Sequence, residues 1–208
     1  MITMKRYEGR NLEDVVRQAA VDKKVSADEL KYFVIEEKAG GLFGIGSKAV
    51  IEAYCQEDIR LFIIDYLKQY FGNINLPAEV TCERAEDNSF KVNINAENNA
   101  ILIGKNGQTL EAIKNVVNAA ANAQFKCHVY MNVDVNGYKE EHFEKLKATV
   151  EKIAKTVAKT HVSARLGDLT SEERKIVHQH LSTMPHIRTE SEGDSNNRRL
   201  KIIFDKNK

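Results

Sequence analysis

Two short runs in this 208-residue sequence have the residue types and spacing to hold a phosphate. The first is Gly104-Lys105-Asn106-Gly107. Glycines lack Cβ atoms, so a sugar–phosphate backbone can approach the main chain closely. The residues that follow read as a helix, whose N-terminal N–H groups would point at such a ligand. Lys105 adds a positive charge, and the flanking Ile101-Leu102-Ile103 and Leu110-x-x-Ile113 supply an apolar wall for bases. The second run holds Arg174 and His178, four residues apart and so on one face of a helix. A guanidinium can grip phosphate with two parallel hydrogen bonds, and an imidazole beside it can add another. Lys175 is adjacent, and Arg198-Arg199 further along can extend the basic face. Taken alone, the same residues also fit a surface Arg paired with Glu, a His at a helix edge, and solvated strand charges.

Other chemistries find little support. The glycine-rich stretch from Gly40 to Lys48 has neither the glycine spacing of a dinucleotide fingerprint nor a following helix. It reads as a hairpin loop with Leu42 and Phe43 exposed, either bare or available for docking or nucleic-acid contact. Cys55, Cys82 and Cys127 are odd in number, far apart and each in a strand-like stretch, which suits small buried side chains better than disulfides or a zinc ribbon. His178 and His180 fall on different helix faces, and no HExxH pattern occurs, so neither a metal site nor any other cofactor is expected. No nucleophile–base–orienter set is visible, which argues against an enzyme. No apolar run approaches the ~18 residues of a membrane span, and Met1–Arg10 lacks a secretory apolar stretch, so a cytoplasmic protein is expected.

The elements that would position these runs follow from periodicity. Strand, helix, strand, strand accounts for residues 1–57, with Asn11 capping a helix from Leu12 to about Val21. From Asp58 the period becomes helical, with Ile59, Phe62, Ile63, Tyr66, Leu67 and Tyr70 on one face. Strands are predicted at 78–84, 90–94 and 126–134, with a short helix at 100–103 and a long one at 109–123. The order for 58–135 is therefore helix, strand, strand, helix, helix, strand. The remainder, 136–208, predicts a long lysine-rich helix, a second helix capped by Thr170 or Ser171, and a hairpin from Ile187 to Phe204. The fold class is α+β in three small domains.

Ile103-Gly104-Lys105-Asn106-Gly107-Gln108-Thr109-Leu110 resembles the core motif of a KH domain, and the order of elements around it resembles the type II arrangement. The resemblance implies that the loop clamps about four nucleotides of single-stranded RNA, with single-stranded DNA as the alternative polymer. Glu172-Glu173-Arg174-Lys175-Ile176-Val177-His178 resembles the signature of the R-3-H domain, associated with single-stranded nucleic acid. The three pieces in this order resemble the Jag, or KhpB, family of Gram-positive bacteria over about residues 3–205. That resemblance implies post-transcriptional regulation linked to cell elongation, division or sporulation. It also implies pairing with a small stand-alone KH protein or self-association, and association with a membrane insertase. A long charged linker found in several members is absent here, because only Gln56-Glu57-Asp58 separates the first two domains.

The net charge of +1 conceals a gradient. Residues 1–57 hold 9 basic and 10 acidic side chains, residues 58–135 hold 7 and 9, and residues 136–208 hold 15 and 11. The last third alone is basic and would supply most long-range attraction to phosphate.

Overall fold

The computed structural model describes residues 3–38, 47–193 and 198–208. The loop with Leu42 and Phe43 and most of the hairpin turn at 192–197 therefore lie outside the described residues. Three three-stranded sheets are present among them, distributed over two compact units, Met1–Asn136 and Gly137–Lys208.

In the first unit, β1 (Lys5–Gly9), α1 (Leu12–Lys23), β2 (Lys31–Lys38) and β3 (Lys48–Tyr54) form an antiparallel sheet of order β1-β3-β2 with one helix across it. Asn11 caps α1 as expected, its side-chain oxygen accepting from the Asp14 N–H at 2.8 Å. The helix seals the sheet through Val15 and Ala19 against Ala49, Ile51 and Ala53. A second layer follows without a linker. α2 (Gln56–Asn73) packs on β4 (Ala78–Arg84), which runs antiparallel to β5 (Phe90–Ala96). α3 (Asn99–Ile103) and α4 (Gln108–Phe125) carry the chain across to β6 (Met131–Val135), which pairs parallel to β5. A parallel neighbour demands such a crossover, and here the glycine loop lies inside it. The order is the α-β-β-α-α-β expected for a type II KH domain.

Two expectations need correction, and one strand is additional. The third KH strand spans only Met131–Val135 rather than starting at Lys126. Lys126 adopts a left-handed conformation at the end of α4, and the Val129 N–H donates to the Asn122 side chain at 2.7 Å, so this stretch is bonded back to the helix. Of the cysteines, only Cys82 lies in a strand; Cys55 immediately precedes α2 and Cys127 sits in the connection after α4. In the second unit a two-residue strand, β7 (Ala164–Arg165), adds an edge to the hairpin of β8 (Ile187–Glu192) and β9 (Arg199–Phe204). Two residues are too few to leave a period in the sequence. Around this sheet, α5 (Tyr138–Thr160) and α6 (Ser171–Leu181) bury Val150, Ala154, Val157, Val177 and Leu181 against Ile187, Leu200 and Ile202.

The first two layers are joined by chemistry as well as by proximity. Tyr54 of β3 packs on Phe125 of α4, ring centres 5.1 Å apart, and Phe125 meets Phe62 of α2 edge-on at 5.5 Å. Lys23 reaches Asp58 at 2.7 Å, with side-chain exposures of only 8% and 18%. Asp58 also accepts the Cys55 N–H at 2.7 Å, so one carboxylate caps α2 and anchors α1 to it. Removing one partner of a nearly dry ion pair leaves the other charge stranded. Lys23→Met is therefore expected to cost about 3 kcal/mol, read as a lower urea midpoint. A loss indistinguishable from zero would show that water screens the pair.

Candidate nucleic-acid interface

Gly104 ends α3 with φ 69° and ψ −172°, a conformation essentially restricted to glycine. A Cβ there would also collide with the Thr109 hydroxyl at 2.1 Å. Two influences thus fix this residue: backbone sterics and the side chain that closes the loop from the first turn of α4. Asn106 (φ 52°, ψ 33°) and Gly107 (φ 75°, ψ 8°) are both left-handed, and Gly107 starts α4 with no side-chain cap. Asparagine is among the few non-glycine residues that tolerate that region. The first N–H groups of an 18-residue helix are consequently left without a capping side chain beside the exposed Lys105 and Asn106. Such an end favours an anion through both its donors and its dipole.

Ile103 is half-buried at the loop. Of the expected apolar wall, Leu102, Leu110 and Ile113 are buried in the core, and Ile101 is the outward member, 56% exposed. On so short a helix one apolar residue must face the core and the next must face out. The signal in the sequence was an apolar triplet longer than one turn's inner face can absorb. Ile101 therefore presents an apolar surface beside the glycine loop.

In the second unit, α6 starts on a closed capping box. The Glu173 N–H donates to the Thr170 hydroxyl at 3.2 Å, and the Glu173 carboxylate accepts the Thr170 N–H at 2.6 Å. The other carboxylate oxygen lies 2.6 Å from Nε2 of His142 on α5. Burial pushes the Glu173 carboxyl up, but the hydrogen bonds from His142 and Thr170 outweigh it and hold the group below its ordinary value.

Arg174 is placed differently from a free surface cation. One of its terminal nitrogens donates to the carbonyls of Leu169 at 2.6 Å and Arg198 at 3.3 Å, and the other donates to the Ser171 hydroxyl at 2.9 Å. The guanidinium has five N–H donors, so three brace the loop before α6 and the start of β9 and two remain for a ligand. His178 Nδ1 lies 2.6 Å from the Thr189 hydroxyl, which turns the opposite ring nitrogen outward. Arg174, Lys175, His178 and Arg198 line a surface pocket of about 430 Å³ together with the hydroxyls of Ser171, Thr189 and Ser191, and among the described residues no carboxylate lines it. The hydroxyls were not singled out in the sequence. Strand alternation places residues 189 and 191 on one face, with Leu200 opposite Ser191, but only the folded hairpin shows which face turns to α6. Arg199 is not brought into this pocket; it turns away and pairs with Asp168 at 3.3 Å.

Fold and sites together define a chain that joins a KH layer to an R-3-H module behind a small β-α-β-β domain. Family models agree: the Jag N-terminus matches residues 7–55, the KhpA/KhpB KH domain residues 60–135, and the R-3-H domain residues 144–203. The chain is 30% identical over 187 residues to a protein of Clostridium symbiosum named RNA-binding protein KhpB, covering 89% of this chain and 84% of that one. The Bacillus subtilis protein of the same name is 31% identical over 198 residues, covering 93% and 95%. A Streptococcus pneumoniae relative of that name is 23% identical, with 56% of its length matched. The chain belongs to the KhpB family, a family of RNA-binding proteins and not of enzymes.

Because the folded Glu173 value lies below the unfolded one, its contribution is present above the ordinary carboxylate value of about 4.3 and is lost as pH falls through the folded value. Glu173→Gln should therefore flatten the acid limb of the stability profile of the second unit, measured by thermal melts between neutral and acid pH. An unchanged acid limb would remove Glu173 from that role.

Proposed function

We propose that this protein binds single-stranded RNA through two modules on one chain, with the domain division 1–57, 58–135 and 136–208 as its functional division. The observation that carries the reading is the N-terminus of α4, which starts on Gly107 with no side-chain cap beside the exposed Lys105 and Asn106. Supporting it is the pocket of Arg174, Lys175, His178 and Arg198, whose lining among the described residues holds no carboxylate. Ile103 and Ile101 offer the apolar side of the first site, and Arg199, paired with Asp168, stays outside the second. The KH segment is slightly acidic, so its contacts are local, while the basic last third supplies attraction at a distance. Two weak sites on one chain raise affinity through effective concentration. The family resemblance extends the proposal to a cytoplasmic post-transcriptional regulator connected with cell elongation, division or sporulation, and with a membrane insertase. No helix among the described residues is long and apolar enough to cross a membrane itself.

One titration tests both sites. Lys105→Asp with Asn106→Asp should weaken RNA binding about tenfold or more in a gel-shift assay, and the double change Lys175→Ala, Arg198→Ala should lower the salt slope by about two. Arg174 is the wrong residue for this purpose, because its loss also removes three structural hydrogen bonds. Unchanged affinity would sink the loop assignment, and an unchanged slope would remove the pocket from the interface.

A second reading, an adaptor that uses its KH layer to pair with a small stand-alone KH protein or another copy, is favoured by the outer face of α4. Ala112, Val116, Ala119 and Ala123 fall at helical spacing there, all exposed and uncharged, with Val116 at 48%. Val116→Asp should shift a paired species to a single chain in sedimentation velocity. A sedimentation profile identical to that of the parent protein would argue against this face.

A further inference from the structure

We propose that His128 and Tyr130 form a base-stacking platform on the edge of the KH sheet, separate from the glycine loop and serving single-stranded RNA. The inference rests on the RNA-binding reading above and adds a second contact to the same layer. Tyr130 is 66% exposed, and its ring meets that of His128 edge-on with centres 4.4 Å apart. Between them Val129 is buried at 2%, and beyond them Met131 and Val133 are buried, so burial alternates and leaves His128 and Tyr130, just before β6, and Asn132 within it exposed.

The backbone beneath the pair is held firmly. The Phe90 N–H donates to the Tyr130 carbonyl at 2.9 Å, and the Val129 N–H donates to Asn122 at 2.7 Å. An aromatic exposed on so fixed a support loses little further freedom when a ligand covers it, which is what a stacking site requires. The edge-on contact occupies one side of the arrangement and leaves a π face open. β6 is an edge strand of its sheet and also packs against α3 and α4, the helices that carry the glycine loop. Tyr130 follows the C-terminal end of α4 and the loop precedes its N-terminal end, so a strand held at the loop would run the length of that 18-residue helix, about 27 Å, to reach Tyr130.

The surroundings favour a base over a protein surface. By strand alternation the residues on the outer face of the same sheet are Glu79, Thr81, Glu83, Lys91, Asn93, Asn95 and Asn132, all exposed, with Asp134 half-buried. None is apolar, so no greasy patch surrounds the aromatic pair as a protein interface would need. Lys91 stands opposite Asn132 in the register. With three carboxylates against that one lysine, the face does not draw phosphate by itself. The platform therefore adds to binding of a strand already held at the glycine loop.

The chain contains no tryptophan, so Tyr130→Trp installs a unique fluorophore at the platform. The probe is a fluorescein-labelled, short random-sequence RNA pool for anisotropy and the same pool unlabelled for tryptophan emission. Tyr130→Ala should weaken binding about fivefold or more, Tyr130→Trp should retain it, and the tryptophan emission should be quenched as RNA saturates the protein. Circular dichroism melts of the variants should match those of the parent, since the side chain is exposed. Parent-like affinity of Tyr130→Ala, or tryptophan emission indifferent to saturating RNA, would overturn the platform while leaving the loop assignment intact. Failure of the parent protein to bind the pool would overturn the RNA-binding reading and the platform with it.

Discussion

The fold's functional geometry depends on one backbone position that only glycine can occupy. Gly104 turns the chain through positive φ, and the Thr109 hydroxyl fills the space a side chain would need. From that turn follow the direction of α4, the absence of a side chain over its first N–H groups, and the crossover that sets β6 parallel to β5. In three other helices side chains meet such donors, whereas α5 also starts on a left-handed glycine, Gly137, with no side-chain cap. Asn11 closes α1, Asp58 closes the start of α2, and Thr170 with Glu173 closes α6. Against that background, a long helix that begins on a glycine beside Lys105 is a place where the protein leaves an electrostatic demand for something else to meet.

The second unit meets its own demands first. Glu173 is spent on the capping box and on His142, and Arg174 on two carbonyls and a hydroxyl. The motif that looks like a phosphate clamp is thus also a set of braces that bring α6 and the hairpin together. The clamp survives because a guanidinium has more donors than the braces use. Its remaining donors open into a pocket completed by hydroxyls from β8, so the ligand-facing surface belongs to the hairpin as much as to the helix.

Much of this was legible in the sequence. Helical spacing from Ile59 to Tyr70, the alternation of residues 78–84 and 90–94, and the Thr170 cap all reflect local periodicity or local hydrogen bonding, and each appears where expected. The start of β6 did not, because Lys126–Tyr130 alternates in sequence but is tied back to Asn122 seven residues earlier. Arg198 and Arg199 are neighbours in the sequence and were read together, yet strand geometry sends one to the pocket and the other to Asp168. Ile101 was hidden inside an apolar triplet whose inner and outer members only packing could separate.

By itself the sequence determined which residues could do chemistry and the order of the elements that carry them. Glycine permissiveness, capping and amphipathic period are properties of a few adjacent residues. Tertiary structure alone decided what those residues still have to spare once packed. Whether a guanidinium keeps free donors, an isoleucine stays outside, or a lysine is consumed by a carboxylate 35 positions away is settled by residues distant along the chain, as the Lys23–Asp58 pair shows. The physical reason is that hydrogen bonds and ion pairs saturate: a donor used to hold the fold is unavailable to a ligand, and only the three-dimensional arrangement tells which donors have been used.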